Sequence, residues 1–300
     1  MTGLALARQL YARAAPLLEA EFPEDVSRIA VGLAGPGSEC FGFDDEISRD
    51  HDFAPRLCLW IPEEDVWTLG APLQAFYRRL TADLPGVTPQ AEDRSGVIPI
   101  PEYYRRFTGC PGAPQSSLQW LRVPDHLLAT AVNGEVFRDE LGAFTAIRQE
   151  LLRGYPPDVR RKKLAARLFT MGQAGQYNLP RCLRRGDEAA ALLAAAEFLQ
   201  AALQALFLLN GRYAPYYKWL YRAAGDLPLC REAVVLLGRL PGCSAEKKPA
   251  LVEEICGEVF RELRRQALTA SASDFLVDQA FAVAEGIEDG QLRGLDISVG

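Results

Sequence analysis

The chain has 300 residues, 49% of them hydrophobic, and a formal net charge of −6. This length allows a sizeable core and two domains, and the acidic balance disfavours a general nucleic-acid-binding protein, which is usually basic. The seven cysteines are scattered and form no Cys-x-x-Cys pair, so we expect neither a zinc site nor a disulfide framework.

The N-terminal segment, residues 4–21, predicts a helix. Arg8 and Arg13 interrupt its apolar residues, so the segment resembles neither a signal peptide nor a membrane span. No other segment is expected to cross a bilayer. We therefore expect a cytoplasmic protein that makes no contact with a membrane.

The first half of the chain mixes short strands with helices. Residues 26–34 predict a buried strand that runs directly into Gly35-Pro36-Gly37-Ser38. The other elements expected in this half are a strand at 51–62, a helix at 63–84, an edge strand at 95–104 and a short strand at 133–142.

The second half changes character. From about residue 143 it is rich in alanine and leucine, with apolar residues at helical spacing. Prolines and glycines divide it into expected helices at 143–153, 157–184, 187–210, 215–224, 229–240, 246–267 and 274–287. This pattern predicts a helical bundle. We therefore expect two domains, 1–142 and 143–300.

The segment GPGSECFGFDDEISRDHDF, residues 35–53, contains the residues that best fit a chemical role. Gly37 lets the backbone approach a ligand closely, and Ser38 offers a hydroxyl and an amide to a phosphate oxygen. In an extended strand Asp50 and Asp52 would project from one face. Two adjacent carboxylates favour a cation such as Mg²⁺, which binds carboxylate and phosphate oxygens. The segment therefore predicts a site for a metal and a nucleoside triphosphate.

The acids between these two groups have a simpler interpretation. Asp44, Asp45 and Glu46 follow one another in the middle of the segment. A run of like charges is usually a solvated surface, so we interpret these three residues as an exposed loop.

The motif resembles a known signature. Gly37-Ser38, eleven intervening residues and Asp50-His51-Asp52-Phe53 resemble the Gly-Ser…Asp-x-Asp signature of the polymerase-beta-like nucleotidyltransferases. The runs ECFGFDDEISRDHD, NGEVFRD, GQYN and YYKW resemble more closely a bacterial family of uncharacterised nucleotidyltransferase-like proteins, related to the aminoglycoside and minimal nucleotidyltransferases. The resemblance covers most of the chain. It implies an α/β nucleotidyltransferase-like domain with a small mixed sheet, followed by an all-α helical bundle domain.

The resemblance also implies an activity. The chain would be an Mg²⁺-dependent nucleotidyltransferase that moves a nucleoside monophosphate from a nucleoside triphosphate, with ATP favoured, to a hydroxyl-bearing acceptor. Ser38 would hold the β and γ phosphates, and Asp50 and Asp52 would be catalytic residues that bind Mg²⁺. A small-molecule acceptor is favoured, with a protein or a tRNA as alternatives.

Active members of the superfamily usually carry a third carboxylate on a later strand. The interior of residues 95–104 contains no acid, and Glu102 lies only at its end. We favour Glu102 as the third catalytic carboxylate over Glu135 and Asp139. The gap also supports a second hypothesis, in which the chain is an inactive nucleotide-binding or interaction module of the same fold.

Two clusters in the helical half are candidates for completing a nucleotide site. Gln176 and Asn178 belong to a polar cluster in an otherwise apolar pattern, and buried polar groups need partners that a ligand is able to supply. Lys218 would neutralise the triphosphate as a point charge, and Tyr217 or Tyr213 would stack on a base or on an acceptor ring. Both clusters have a structural alternative. The basic run at 159–187, which includes Lys163 and Gln176, would form a solvated face, and the aromatic residues of 209–222 would pack in the core.

Overall fold

The computed structural model describes residues 2–50, 55–84 and 94–300, and of Arg49 and Asp50 it describes the backbone only. The chain divides into two compact units. The first comprises Met1–Pro114 and Leu127–Arg153, and the second comprises Gln115–His126 and Gly154–Gly300. This division differs from the one expected at residues 142 and 143, because each unit takes a segment that the sequence pattern assigns to the other.

The first unit is built on a four-stranded sheet. Its strands are β1 (Ala30–Leu33), β2 (Cys58–Ile61), β3 (Gly96–Pro99) and β4 (Glu135–Arg138), in the order β3-β2-β1-β4. β1 is antiparallel to β2 and to β4, whereas β2 and β3 are parallel. The sheet is therefore small and mixed, which confirms the expected fold class for this half of the chain.

Helices make up most of the remaining structure. In chain order they are α1 (Gly3–Glu21), α2 (Val66–Thr81), α3 (Ile100–Thr108), α4 (Ser117–Arg122), α5 (Asp125–Ala131), α6 (Ala143–Leu152), α7 (Pro157–Met171), α8 (Leu179–Arg184), α9 (Glu188–Leu209), α10 (Tyr217–Ala224), α11 (Arg231–Arg239), α12 (Lys248–Arg265), α13 (Leu276–Glu285) and α14 (Gly290–Arg293). One boundary between the units falls within α5.

One face of the sheet packs against α1 and α2. Leu10, Ala14 and Leu18 recur every four residues on α1, so they form one buried stripe. They share a core with Val31 and Leu33, which point to the same side because side chains alternate along a strand. This core holds β1 at the centre of the unit.

An aromatic cluster covers the opposite face. Trp60 of β2 stacks on Phe144 of α6, with ring centroids 3.9 Å apart, and Tyr103 of α3 meets both rings edge-on. The Tyr104 hydroxyl donates a hydrogen bond to the Phe144 carbonyl at 2.9 Å. These contacts attach α6 to the sheet, which explains why this helix belongs to the first unit.

The third strand is shorter than expected. β3 ends at Pro99, and α3 begins at Ile100 with a proline in its first positions. Proline is favoured there because the first N–H groups of a helix have no intrahelical acceptor. Glu102 therefore lies in the first turn of a helix and not at the end of a strand.

The second unit, all of whose residues are described, is helical throughout and contains no strand. α7 packs against α9 and α13, and the core between them consists mainly of leucine, alanine and phenylalanine side chains. This architecture confirms the expected helical bundle.

Helix α9 corrects one expectation. Among the described residues it is the one helix that is long and apolar enough to cross a membrane, although no such segment is expected from the sequence. Of its most apolar stretch, 56% is buried, and Phe198 and Leu206 are fully enclosed. Its buried apolar residues form part of the core of the helical unit.

The helix expected at 157–184 is interrupted. α7 passes into a seven-residue π-helix, Gly172–Asn178, which leads into α8. A Cβ on Gly175 would overlap the ring of Phe198 in α9, and one on Gly172 would crowd Val277 in α13. The π-helix therefore depends on glycine for its close packing on both sides.

We expect Gly134→Ala to destabilise the protein more than Gly142→Ala does. Both glycines have a φ near +70°, at +66° and +74°, so each substitution introduces backbone strain of about 1–2 kcal/mol. A Cβ at residue 134 would also overlap the Leu33 carbonyl oxygen, whereas a Cβ at residue 142 would meet open space. Urea denaturation of the full chain measures both free energies of unfolding, and equal losses would contradict the close approach of residue 134 to β1.

Candidate functional site

The loop that follows β1 depends on two glycines. Gly35 has a φ of +114° and Gly37 a φ of +147°, conformations that residues with a Cβ rarely adopt. A Cβ on Gly37 would also overlap the Glu39 carboxylate. Both positions therefore require glycine for the shape of the loop itself.

Asn133 fixes this loop to the segment before β4. Its side-chain oxygen accepts a hydrogen bond from the Gly35 N–H, and its side-chain nitrogen donates to the Gly35 carbonyl, both at 2.8 Å. The neighbouring Gly134 N–H donates to the Cys40 carbonyl, also at 2.8 Å. Arg148 in turn donates to the carbonyl oxygens of Asn133 and Gly134 at 3.1 Å. The loop is thus held at both ends by groups that the sequence analysis does not single out.

Glu39 and Arg56 form an ion pair beside the loop, with side chains 15% and 7% exposed. Arg56 also donates to the Pro36 carbonyl at 3.3 Å. Burial, the largest single effect, would lower the pKa of Arg56, but the Glu39 carboxylate together with Cys40, Cys58 and Tyr77 outweighs it, and the pKa lies above its ordinary value. Glu39 therefore neutralises an internal cation.

Ser38 stands at the start of the 3₁₀ helix Glu39–Phe41. Its carbonyl accepts hydrogen bonds from the N–H groups of Phe41 and Phe43 at 3.1 and 2.9 Å, which fixes its backbone. Its half-buried hydroxyl makes no hydrogen bond with that helix or with any other residue in the described ranges. Such a hydroxyl is able to donate to an oxygen of a bound anion.

The acidic pair lies at the edge of the described residues. The backbone of Asp50 ends the 3₁₀ helix Ile47–Asp50, and Asp52 lies outside the described residues. Of the strand expected at 51–62, the structure describes residues 55–62, and within them the paired strand is β2, Cys58–Ile61. Asp50 is therefore not part of an extended strand. The strand geometry that would align its carboxylate with that of Asp52 is absent at Asp50. Their metal-binding role stays a prediction.

The acids in the middle of the segment are not simply a solvated loop. Asp44 is half-buried, and its Oδ2 accepts a hydrogen bond from the Gly3 N–H at 2.8 Å. Gly3 begins α1, and a carboxylate at a helix N-terminus is stabilising. Asp45 accepts a hydrogen bond from the Ser48 N–H at 3.0 Å. Asp44 therefore anchors α1 to the acidic segment, whereas Glu46 is exposed as expected.

Two of the three candidates for a third carboxylate already have structural partners. Glu135 accepts a bidentate hydrogen bond from Arg8 of α1. Asp139 accepts hydrogen bonds from the N–H groups of Gly142 and Thr145, at 3.0 and 2.7 Å, and so caps α6. Both carboxylates therefore contribute to the packing of the first unit.

Of the three candidate carboxylates, Glu102 has the weakest contact with the rest of the protein. It is exposed and pairs at 2.5 Å with Arg106, one turn further along α3. An exposed pair at this spacing contributes only about 0.3–0.5 kcal/mol. Glu102 is thus the candidate whose carboxylate is most easily redirected to another partner.

Gln176 connects three segments of the second unit. Its Nε2 donates to the Glu253 carboxylate at 2.7 Å and to the Asp274 carbonyl at 3.1 Å, and its Oε1 accepts from the Leu276 N–H at 2.8 Å. Protein groups therefore supply the partners that this polar side chain needs. Asn178 is exposed at the end of the π-helix.

The two candidates on α10 have different surroundings. Tyr217 is 69% exposed and lines a cleft of the second unit, whereas Lys218 does not. The Lys218 ammonium lies 4.9 Å from the centre of the Trp219 ring. Tyr213 is buried and packs edge-on against Tyr155 with centroids 4.8 Å apart, so it is a core residue and Tyr217 is the tyrosine left for stacking.

The cleft lies entirely within the second unit and has a volume of about 430 Å³, which is within the range of small-molecule sites. Its walls come from the segment around α4 and from α7, α9 and the start of α10. The lining residues are 121–126, Lys163, Arg167, Gln200, Gln204, 214–217, Leu220 and Gly300.

A buried ion pair contributes to this lining. Lys163 donates to the Asp125 carboxylate at 2.9 Å, and the Tyr155 hydroxyl donates to the same oxygen at 2.6 Å. Burial would raise the pKa of Asp125, but the Lys163 charge and the hydrogen bonds outweigh it, and the pKa lies below its ordinary value. The Asp125 carboxylate therefore stays ionised, and its charge offsets that of the Lys163 ammonium to which it is bound.

The second unit and the whole chain are each similar to known proteins. The model of a family described as a domain of unknown function, DUF4037, matches residues 120–220, a range that includes every cleft residue except Gly300. No curated protein matches the chain. A solved nucleotidyltransferase-like protein from Exiguobacterium sibiricum 255-15 is similar over 92% of this chain and 77% of that chain, with 12% identity and a TM-score of 0.38. A likeness of this degree does not establish a shared fold.

Among the described residues, no three side chains of the His, Cys, Asp and Glu types are grouped so as to hold a metal ion. Mg²⁺ needs only one or two carboxylates where phosphate supplies the remaining oxygens. The carboxylates of Asp50 and Asp52 would supply such oxygen donors, and the Ser38 hydroxyl, which has no partner among the described residues, would remain for the phosphate.

We expect Asp125→Asn to destabilise the protein strongly. The change leaves the Lys163 ammonium buried without a counter-charge, which costs about 3–5 kcal/mol in the free energy of unfolding. Adding Lys163→Met should recover part of this loss. The stabilisation by Asp125 is present above the unfolded-state pKa of about 3.9 and is lost as the pH falls through the lower folded-state pKa.

Urea denaturation at several pH values measures these effects. The matched control is Glu102→Gln, which breaks an exposed ion pair and should change the free energy of unfolding by less than about 1 kcal/mol. Similar losses in both variants would show that the Asp125 pair is not the buried charge pair described here.

Proposed function

We propose that the chain is an Mg²⁺-dependent nucleotidyltransferase that transfers a nucleoside monophosphate from a nucleoside triphosphate to an acceptor hydroxyl. The observation that supports it most is the loop after β1. Two left-handed glycines and the Asn133 clamp give the loop a fixed shape, and within it Ser38 has a hydroxyl without a protein partner among the described residues. The spacing from Ser38 to Asp50 and Asp52 is that of the nucleotidyltransferase signature.

Each residue of the site would have a separate role in the reaction. Ser38 would donate a hydrogen bond to a phosphate oxygen of the triphosphate. Asp50 and Asp52 would hold Mg²⁺, which when bound supplies positive charge to offset the charge of the phosphates. The acceptor hydroxyl would attack the α-phosphorus in line as pyrophosphate leaves, and Glu102 would accept the proton of that hydroxyl. ATP is the favoured donor and a small molecule the favoured acceptor.

A second candidate function is a nucleotide-binding or interaction module that has lost the chemistry. The observation that favours it is β3, which contains no acidic residue. In this case the protein would bind the triphosphate with Mg²⁺ and transfer nothing.

We expect the double variant Asp50→Asn/Asp52→Asn to lose roughly a thousandfold in transfer rate, since metal-borne charge contributes several kcal/mol to such reactions. Ser38→Ala should weaken triphosphate binding roughly 10- to 100-fold, because it removes a hydrogen bond to a charged group. Each α-labelled nucleoside triphosphate is incubated with Mg²⁺ and a lysate, and both label transfer and pyrophosphate release are followed.

The matched control is Glu46→Gln, an exposed acid of the same segment, which should leave binding and transfer unchanged. If the double variant binds the triphosphate with Mg²⁺ as tightly as the wild type does, the metal-site assignment is wrong. If the wild type binds but transfers label to no acceptor, the second candidate function is supported instead.

Glu102→Gln should lower the transfer rate roughly 10²- to 10⁴-fold, the usual contribution of a general base, and should leave triphosphate affinity unchanged. Glu135→Gln serves as the comparison because Glu135 is bound to Arg8. Single-turnover rates at saturating triphosphate separate the two steps. Loss of transfer in Glu135→Gln with normal transfer in Glu102→Gln would reassign the base to β4.

A further inference from the structure

The cleft of the helical unit has a positively charged wall. Arg122, Lys163 and Arg167 line it together with a single acid, Asp125. Because Asp125 is bound to Lys163 at 2.9 Å, the two arginines supply the net positive charge. Arg122 is exposed and forms no ion pair within the described part of the chain. The cleft is therefore suited to an anion.

Arg167 has hydrogen-bond donors to spare. Its Nη2 donates to the Gly300 carbonyl at 2.8 Å, whereas its Nε is buried and has no acceptor among the described residues. An unpaired buried donor costs about 1–3 kcal/mol. A guanidinium forms paired hydrogen bonds with phosphate or carboxylate, so an anion bound beside Arg167 would satisfy donors that the protein leaves unmatched.

Aromatic side chains at the start of α10 also line the cleft. Tyr216 and Tyr217 are 50% and 69% exposed, and their rings lie with centroids 4.5 Å apart at the cleft. The His126 ring, another lining residue, meets Tyr216 edge-on at 5.8 Å. Exposed aromatic faces of this kind stack on flat rings, and a nucleobase gains about 1–3 kcal/mol from such a contact.

Two polar side chains of α9 also line the cleft. Gln200 and Gln204 lie one turn apart on α9 and both line the cleft. A primary amide offers a donor and an acceptor together, which suits the mixed hydrogen-bonding edge of a nucleobase. Arginines, tyrosines and amides thus meet in one cavity of about 430 Å³.

From these features we infer that the cleft is a binding site for a nucleoside monophosphate, with its phosphate on Arg122 and Arg167 and its base against Tyr216 and Tyr217. This site consists of residues of the helical unit alone. It needs neither the Gly-Ser loop nor the acidic pair, and it binds without Mg²⁺.

Calorimetric titration of the full chain with AMP, GMP, CMP and UMP, each in EDTA, tests the inference. At least one of the four should bind, and its nucleoside alone and inorganic phosphate alone should each bind at least about tenfold more weakly, because each keeps only one of the two contacts. Absence of binding by all four at millimolar concentration would overturn the inference. So would phosphate binding as tightly as the nucleotide.

Substitutions then locate the site. Arg122→Gln and Arg167→Gln should each weaken binding roughly 10- to 100-fold, as expected for a lost hydrogen bond to a charged group, and Tyr217→Ala roughly tenfold. The matched controls are Arg185→Gln and Tyr177→Ala, an exposed arginine and an exposed tyrosine of the same unit outside the cleft. They should bind normally.

Two variants, Arg122→Gln and Ser38→Ala, keep the test decisive. If Arg167→Gln fails to fold, as judged by circular dichroism, the exposed Arg122→Gln alone decides, and normal affinity in that variant would overturn the site. Ser38→Ala should bind the monophosphate as the wild type does. Weakened binding in Ser38→Ala with normal binding in Arg122→Gln would show that the nucleotide occupies the loop after β1.

Discussion

The first unit depends on the reciprocal hydrogen bonds between Asn133 and Gly35, two residues that lie 98 positions apart in the chain. They join the end of β1 to the start of β4, where Gly134 leaves no space for a side chain against Leu33. The strands do not pair at this point, so the Gly35 N–H and carbonyl lack backbone partners from β4. The Asn133 side-chain amide supplies both hydrogen bonds instead. The shape of the loop that carries Ser38 follows from this clamp.

Charge is used differently in the two units. In the first, acids and bases are mostly matched within the fold: Glu39 with Arg56, and Glu135 with Arg8. An acidic segment therefore does not imply a large free negative charge. In the second, the pair Asp125–Lys163 cancels, and the charge that is left at the cleft is positive although the chain as a whole is acidic. Net charge is thus a poor guide to the charge of a single cavity.

Sequence patterns predicted the helical unit well, because apolar spacing and the positions of proline and glycine are local signals. Strands were predicted too long, since β1 and β3 end where their partners end, and a partner is not a local property. The apolar residues of 95–104 predict one strand, but Pro101 lies in the first turn of α3, and Glu102 is therefore on a helix. Asn133, Asp125 and Lys163 were missed because their roles come from distant neighbours; Lys163 in particular lies in a basic run whose pattern indicates a solvated face, yet it is buried.

The π-helix at Gly172–Asn178 changes how the residues around it should be compared. A π-helix closes hydrogen bonds from i to i+5 and holds more residues per turn than an α-helix. Since each residue advances an α-helix by about 100°, the face of α8 is rotated relative to a straight continuation of α7. A helical wheel drawn through both helices therefore assigns wrong neighbours to the residues of α8. A relative lacking one residue here would keep a continuous α-helix and present nearly the same side of α8 to α9, because the π-helix absorbs the additional residue.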